Sequence, residues 1–232
     1  MKRWHTPVRT LASLLALSCL LFGGCAGTPG AVVVLDHGLS APASSLPPLF
    51  NRSQGIELRS CADLIAALRA AKDLGEIAES PQFNAYVDCL AVALVAEGRS
   101  ARELARPASF DLRHAGERIY RDLDLTSVAS SLAPQRPSHH YRLQDFKFDS
   151  VQIDSLSVVL RGNGFWCTFQ VLALGDFRHL GRTELLVRFT DRATNHGTYN
   201  KQSLLVIHAA PCAAAMHAID AVDVLKAATP LR

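Results

Sequence analysis

The sequence predicts an α+β protein in which an N-terminal helical hairpin packs on a C-terminal antiparallel β-sheet of four to five strands. Three observations carry this expectation. Apolar residues recur at helical spacing through residues 60–98, Pro134 and Pro137 interrupt the chain, and apolar residues alternate between 145 and 208. A sheet of that size needs a second layer over one face, and the helical pair is the element at hand.

Taken in order, residues 11–22 are an apolar run that follows Lys2, Arg3 and Arg9 and precedes Gly23, Gly24 and Cys25. A basic start, a short apolar stretch and small residues before a cut have the form of a secretory signal over residues 1–24. The run is about a dozen residues, short of the ~20 that cross a bilayer, so cleavage is expected rather than a spanning helix. Residues 26–51 are rich in Pro, Gly, Ser and Ala and read, together with Cys25, as a flexible tether.

The helical part runs from 52 to 137. Ser60-Cys61-Ala62-Asp63 has the form of a capping box with Asp in place of Glu, and Leu64, Ile65, Leu68, Ala71 and Leu74 follow at helical spacing. Ser80 as cap and Pro81 at the first helical position start a second helix, striped by Phe83, Tyr86, Val87, Leu90 and Leu94. Shorter helices are expected over 115–123 and 126–132.

The β part runs from 138 to 232. Val151 and Ile153 alternate with polar residues, as do Leu156, Val158 and Leu160, before Gly162-Asn163-Gly164 turns the chain. Residues 165–174, 184–190 and 199–208 supply the returning strands. The tail over 213–228 reads as a weak helix carrying Met216, Ile219, Val222 and Leu225.

The formal charge of +3 misleads. Of 24 basic residues, Lys2, Arg3 and Arg9 lie in the signal, which leaves 21 against 21 acidic ones. A neutral mature chain has no field to hold a phosphate backbone, so no nucleic-acid partner is expected.

Beyond the signal and Cys25, the cysteines are Cys61, Cys89, Cys167 and Cys212. An even number in an oxidising compartment reads as disulfides, and none of these has the C-x-x-C spacing of a zinc site. Cys61–Cys89 with Cys167–Cys212 would staple each structural half. Helix rise offsets Cys89 from the level of Cys61 by ~7.5 Å, so the first bridge needs an entry turn that curls back.

Leu21-Phe22-Gly23-Gly24-Cys25 resembles a bacterial lipobox. The resemblance implies that Cys25 is lipidated and becomes the mature N-terminus, with enough acyl chain to anchor stably. Ala26 stands where an inner-membrane retention signal places Asp, so the resemblance implies the outer membrane, facing the periplasm. The whole is similar to uncharacterised bacterial envelope lipoproteins.

A second resemblance covers residues 174–187, about 14 of the 232. Leu174-Gly175-Asp176-Phe177-Arg178-His179-Leu180-Gly181-Arg182-Thr183-Glu184 resembles one degenerate FG-GAP or VCBS-type hairpin, a family whose intact loops bind calcium. Asp176 and Glu184 match the outer acidic positions, but Arg178 and Leu180 occupy the inner ones. A guanidinium among calcium ligands is repulsive, so the loop is expected to be a structural turn without metal. No cofactor is expected.

No G-x-S-x-G elbow, P-loop or H-E-x-x-H occurs. His37 lies in the tether and His139-His140 behind the proline break. His179, His196 and His208 come from the β part and would have to converge with Asp176 and Asp191 to make a hydrolase, with Ser203 or Thr198 as nucleophile. Trp166 reads as a core ring beside a disulfide, or as an aromatic contact for a partner. The polar loop containing Asp191, Arg192, Asn195 and His196 is the first candidate for recognition. The sequence therefore points to a non-enzymatic domain that docks an envelope protein or cell-wall partner while its lipid holds the membrane. A periplasmic hydrolase and a calcium-stabilised adhesion-type module are the alternatives.

Overall fold

The longest strand of the chain, twelve residues from Phe165 to Asp176, sets the architecture. In the computed structural model, residues 32–36, 39, 46–100, 110–130, 142–162, 164–195, 197–209 and 215–228 are described. The expected signal, Cys25, His37, His139, His140, His196 and Cys212 lie outside them. Strands β1 (Val33–Val34), β2 (Leu49–Asn51) and β3 (Ile56–Leu58) precede helices α1 (Cys61–Arg69), α2 (Glu76–Glu79) and α3 (Val87–Glu97). Strand β4 (Arg99–Ser100) and helix α4 (Ala115–Asp122) follow. Then come β5 (Ser150–Ile153), β6 (Ser157–Gly162), β7 (Phe165–Asp176), β8 (Glu184–Ala193), β9 (Asn200–Ala209), β10 (Met216–Asp220) and α5 (Ala221–Ala227).

The fold is dominated by one antiparallel sheet of eight strands, ordered β10-β9-β8-β7-β6-β5, with β1 and β4 also on β7; β2 and β3 pair separately. This corrects the expected helical hairpin on a four- to five-stranded sheet. The helices are short and interrupted. Ala71 turns to φ 51° soon after α1 ends, and the stretch begun at Pro81 is a 3-10 helix through Tyr86 before α3 starts. The extra strands have a physical cause. β6 pairs only with residues Phe165 to Gln170 of β7, which leaves the rest of that flank needing partners. Val33 and Val34 pair with Leu174 and Ala173, and Arg99 and Ser100 with Asp176 and Gly175. Two short strands, one of them inside the expected tether, thus complete the ladder.

Alternation along β7, β8 and β9 feeds two cores. Leu172, Leu186, Leu204 and Val206 pack under α1, α3 and α5. Cys167, Phe169, Val187, Phe189, Leu205 and Ile207 pack on the other side with Ile119 and Leu123 around α4. Phe169 and Phe189 are register partners whose rings stack at 4.6 Å. The tail also departs from expectation: Met216 and Ile219 lie on β10, paired with β9, and only residues from Ala221 form a helix.

Local signals elsewhere hold. Ser60 caps α1 by accepting from the Asp63 amide at 3.2 Å, and the Asp63 carboxylate accepts from the Arg59 amide at 2.9 Å. Because Cys61 is the first residue of α1, the entry turn brings it to Cys89, and the two form a disulfide with Cα atoms 5.2 Å apart.

The second expected bridge is corrected. Cys167 is a free, fully buried thiol. It is level with Asp191 and Lys201, whereas β9 carries the chain on to Ala209 before Cys212, eight residues and about 27 Å further along.

Candidate functional site

Two ends of the sheet hold the polar residues that the sequence singled out, and they differ in how their charges are used. At one end, the β7–β8 turn spends its carboxylates internally. Asp176 accepts from the amides of Leu180 and Gly181, each at 2.9 Å. Glu184, fully buried, accepts from the amides of Phe177 and Arg178 at 3.1 and 3.2 Å, and Arg178 Nε donates to it at 2.6 Å. The two outer acidic positions of the degenerate hairpin therefore fasten their own turn, and Arg178 sits where a cation would be repelled. Among the described residues, no group of three or more His, Cys, Asp or Glu converges as a metal set.

The histidines do not gather with the acids as a hydrolase would require. His179 is exposed in the turn at φ 57°. His208 faces Arg178, Arg182 and His217; burial, then those neighbouring cations, push its imidazole down to about 4. Its Nδ1 is buried without a hydrogen-bond partner. Asp191 is level with Lys201, seven residues and about 24 Å along β9 from His208. Ser203 faces Phe189 across the ladder.

Asp191 lies inside the protein rather than on the polar loop. It is fully buried, with Cys167 Sγ 3.3 Å from Oδ1 and the Tyr199 hydroxyl 3.4 Å from Oδ2. Burial and the neighbouring carboxylate push the Cys167 thiol far up and the Tyr199 phenol up to about 12. A protonated thiol can donate to the carboxylate, so the pair satisfies a buried charge.

At this end, the opposite face of the sheet is open. Arg161, Trp166 and Arg192 are register partners across β6, β7 and β8, so their side chains form one row. The Arg192 guanidinium lies 4.0 Å from the centre of the Trp166 ring, a cation–π distance. The row floors a cleft of about 610 Å³ whose rim includes Asp149, Thr194 and Asn195. Among the described residues, neither Arg161 nor Arg192 meets a carboxylate within ion-pair distance.

The turns that frame the cleft are tied together. Thr194 donates its amide to Gly164 O at 2.7 Å. Gly164 sits at φ 81°, and a Cβ there would lie 2.6 Å from Asn195 Nδ2, so both conformation and space call for glycine. The recognition candidates thus divide: Arg192 and Asn195 line the cleft, Asp191 points into the core, and His196 lies outside the described residues. Arg161 was missed. The expected turn at 162–164 carried the signal, since folding back symmetrically about it sets Arg161 opposite Trp166.

The fold and cleft define a class, an antiparallel-sheet domain with a cationic, tryptophan-backed surface cleft. Comparison with known proteins goes no further: no protein-family profile, no curated protein and no solved structure matches the chain. Among the described residues, no helix is long and apolar enough to cross a membrane.

Proposed function

We propose that this chain is a non-enzymatic envelope lipoprotein, anchored through lipid on Cys25 at the outer membrane and facing the periplasm. Its sheet domain docks an anionic group of an envelope protein or cell-wall partner in the cleft of Arg161, Trp166 and Arg192. The observation that carries this reading is the row of two guanidiniums flanking one indole, with no carboxylate of the described chain spent on either. A guanidinium offers a planar fork to a carboxylate or phosphate, and the indole gives an apolar face beside it. Asn195 and Thr194 at the rim supply neutral hydrogen-bonding groups.

A photo-activatable cross-linker placed at Thr194 in cells tests the docking surface. Adducts are expected in the otherwise unaltered chain and are expected to fall about ten- to a hundredfold when Arg161 and Arg192 are both replaced by Ala, since a hydrogen bond to a charged group contributes about 1.5–3 kcal/mol. Equal capture by both forms overturns the reading. Mass spectrometry of the N-terminal peptide tests the anchor: a diacylated Cys25 is expected, and an unmodified thiol or a retained residue 24 defeats it.

A further inference from the structure

Every other flank of the main sheet has a neighbour. On β10, Asp124 donates its amide to Met216 O at 2.8 Å, the Ala218 amide donates to Ser127 Oγ at 2.9 Å, and Leu123 bridges Met216. The flank of β7 beyond β6 is taken by β1 and β4. β5 is different. It pairs with β6 on one side only, and all four of its residues are exposed, Val151 and Ile153 at 40% and 39%.

The outer side of β5 also lacks the usual protection. Natural edge strands carry lysine, proline, a bulge or a cover that discourages a further strand. Ser150-Val151-Gln152-Ile153 has none of the residue types, and its register with β6 is unbroken. Asp154 donates its amide to Ser157 O at 2.9 Å, so 154 and 157 form a hydrogen-bonded pair. Alternation then points the amides and carbonyls of Val151 and Ile153 away from β6.

From these observations we infer that the outer edge of β5 accepts an extended segment of a partner chain, uncharged at its centre and basic at its ends. The charge preference comes from Asp149 and Asp154, which bracket the strand and are both exposed. A second copy of this chain is the poorer occupant. Antiparallel pairing through Val151 and Ile153 brings Asp149 of one copy beside Asp154 of the other at both ends, stacking like charges twice. A strand with lysine or arginine at those ends gains the same ladder bonds without that repulsion. The inference does not rest on the Trp166 cleft, which lies on a face of the sheet rather than along its edge.

The test is anisotropy of two fluorescent peptides, Lys-Thr-Val-Thr-Val-Lys and Glu-Thr-Val-Thr-Val-Glu, titrated with the full chain. The lysine peptide is expected to bind saturably and the glutamate peptide at least tenfold more weakly. Val151→Pro removes an outward amide while leaving the β6 ladder intact, and is expected to weaken the lysine peptide at least tenfold. Asp149→Lys with Asp154→Lys is expected to reverse the preference. Amide exchange at Val151 and Ile153, read on the unaltered protein, is expected to be fast alone and to slow with the lysine peptide, which decides the matter even if the proline variant misfolds. Equal binding of both peptides, no binding at millimolar concentration, or slow exchange before any peptide is added overturns the inference. So does a dimer that Val151→Pro dissolves. Loss of the Arg161 and Arg192 guanidiniums is expected to leave peptide binding unchanged, so failure here and failure of the cleft are told apart.

Discussion

The disulfide between Cys61 and Cys89 closes a loop of 28 residues and ties the start of α1 to α3 over one face of the sheet. Its removal frees that loop in the unfolded chain, and the chain-entropy relation puts the loss at about 3.5 kcal/mol at 25 °C. Against a typical domain stability of about 5–15 kcal/mol, that is a large fraction. For a protein of this size it corresponds to a fall in Tm of roughly 7–14 °C. Urea and thermal melts of Cys61→Ala with Cys89→Ala are the assay. The double variant is needed because a single one leaves a new free thiol. Cys89 is only 2% exposed, so replacing it also opens a small cavity. Melting the unaltered chain with the bridge reduced keeps both sulfurs in place and isolates the cross-link. A loss below about 1 kcal/mol in both arms would refute the claim that this loop is held mainly by the bridge.

Three further outcomes follow from particular contacts. Gly116→Ala would set a Cβ 2.1 Å from Asp154 O and 2.7 Å from Ser157 O, both backbone, so α4 must move off the β5–β6 turn. A loss of roughly 2 kcal/mol or more is expected in urea melts, and an unchanged midpoint contradicts the packing. Cys167, buried and with its thiol pushed up by burial and Asp191, is expected to resist iodoacetamide until the protein unfolds; rapid native labelling mapped to Cys167 by mass spectrometry contradicts its placement. His208 has a folded value of about 4 against an unfolded one near 6.5, so below 6.5 the unfolded chain takes up a proton that the folded one refuses. Its contribution is therefore complete above pH 6.5 and erodes as pH falls from there toward 4. His208→Gln is expected to flatten that part of the stability–pH curve, and an identical slope in both proteins counts against it.

What the sequence made legible is what short-range pattern can encode. The alternation of Phe165, Cys167 and Phe169 against polar neighbours located β7, because one face of it fills an apolar core. Ser60 and Asp63 located the start of α1 through their own hydrogen bonds. Strands β1 and β4 carry two residues each, too few for any period. They exist because a distant strand, β7, outruns β6. Met216 and Ile219 have helical spacing, yet Met216 faces one core and Ile219 packs against the other, so a strand apolar on both faces imitated a helix. At the cleft, Arg192 and Asn195 were legible from the polarity of their loop. Trp166 was read as a core ring beside a disulfide. Its side of β7 is in fact opposite to that of Cys167, and only the cross-strand register joins it to Arg161 and Arg192.

That register also decides which end of the sheet has chemistry to offer. Charges satisfied within their own turn stabilise the turn and are unavailable to anything else: Asp176 and Glu184 are consumed by four amides and by Arg178. Asp191 is likewise engaged inside the core by Cys167 and Tyr199. Arg161 and Arg192 are exposed in a cleft where the described chain sets no carboxylate against them, and the indole that Arg192 covers adds apolar area beside the charge. Holding two guanidiniums in one row opposes folding slightly through their mutual repulsion, so a chain selected for stability alone would gain from an acid in that row. Arg192→Glu is therefore the informative substitution. It is expected to raise the midpoint of unfolding slightly, by an exposed-pair contribution of about 0.2–1 kcal/mol with Arg161, while abolishing capture at Thr194. A variant that lost stability and kept its capture would show that the row serves the fold and not a partner.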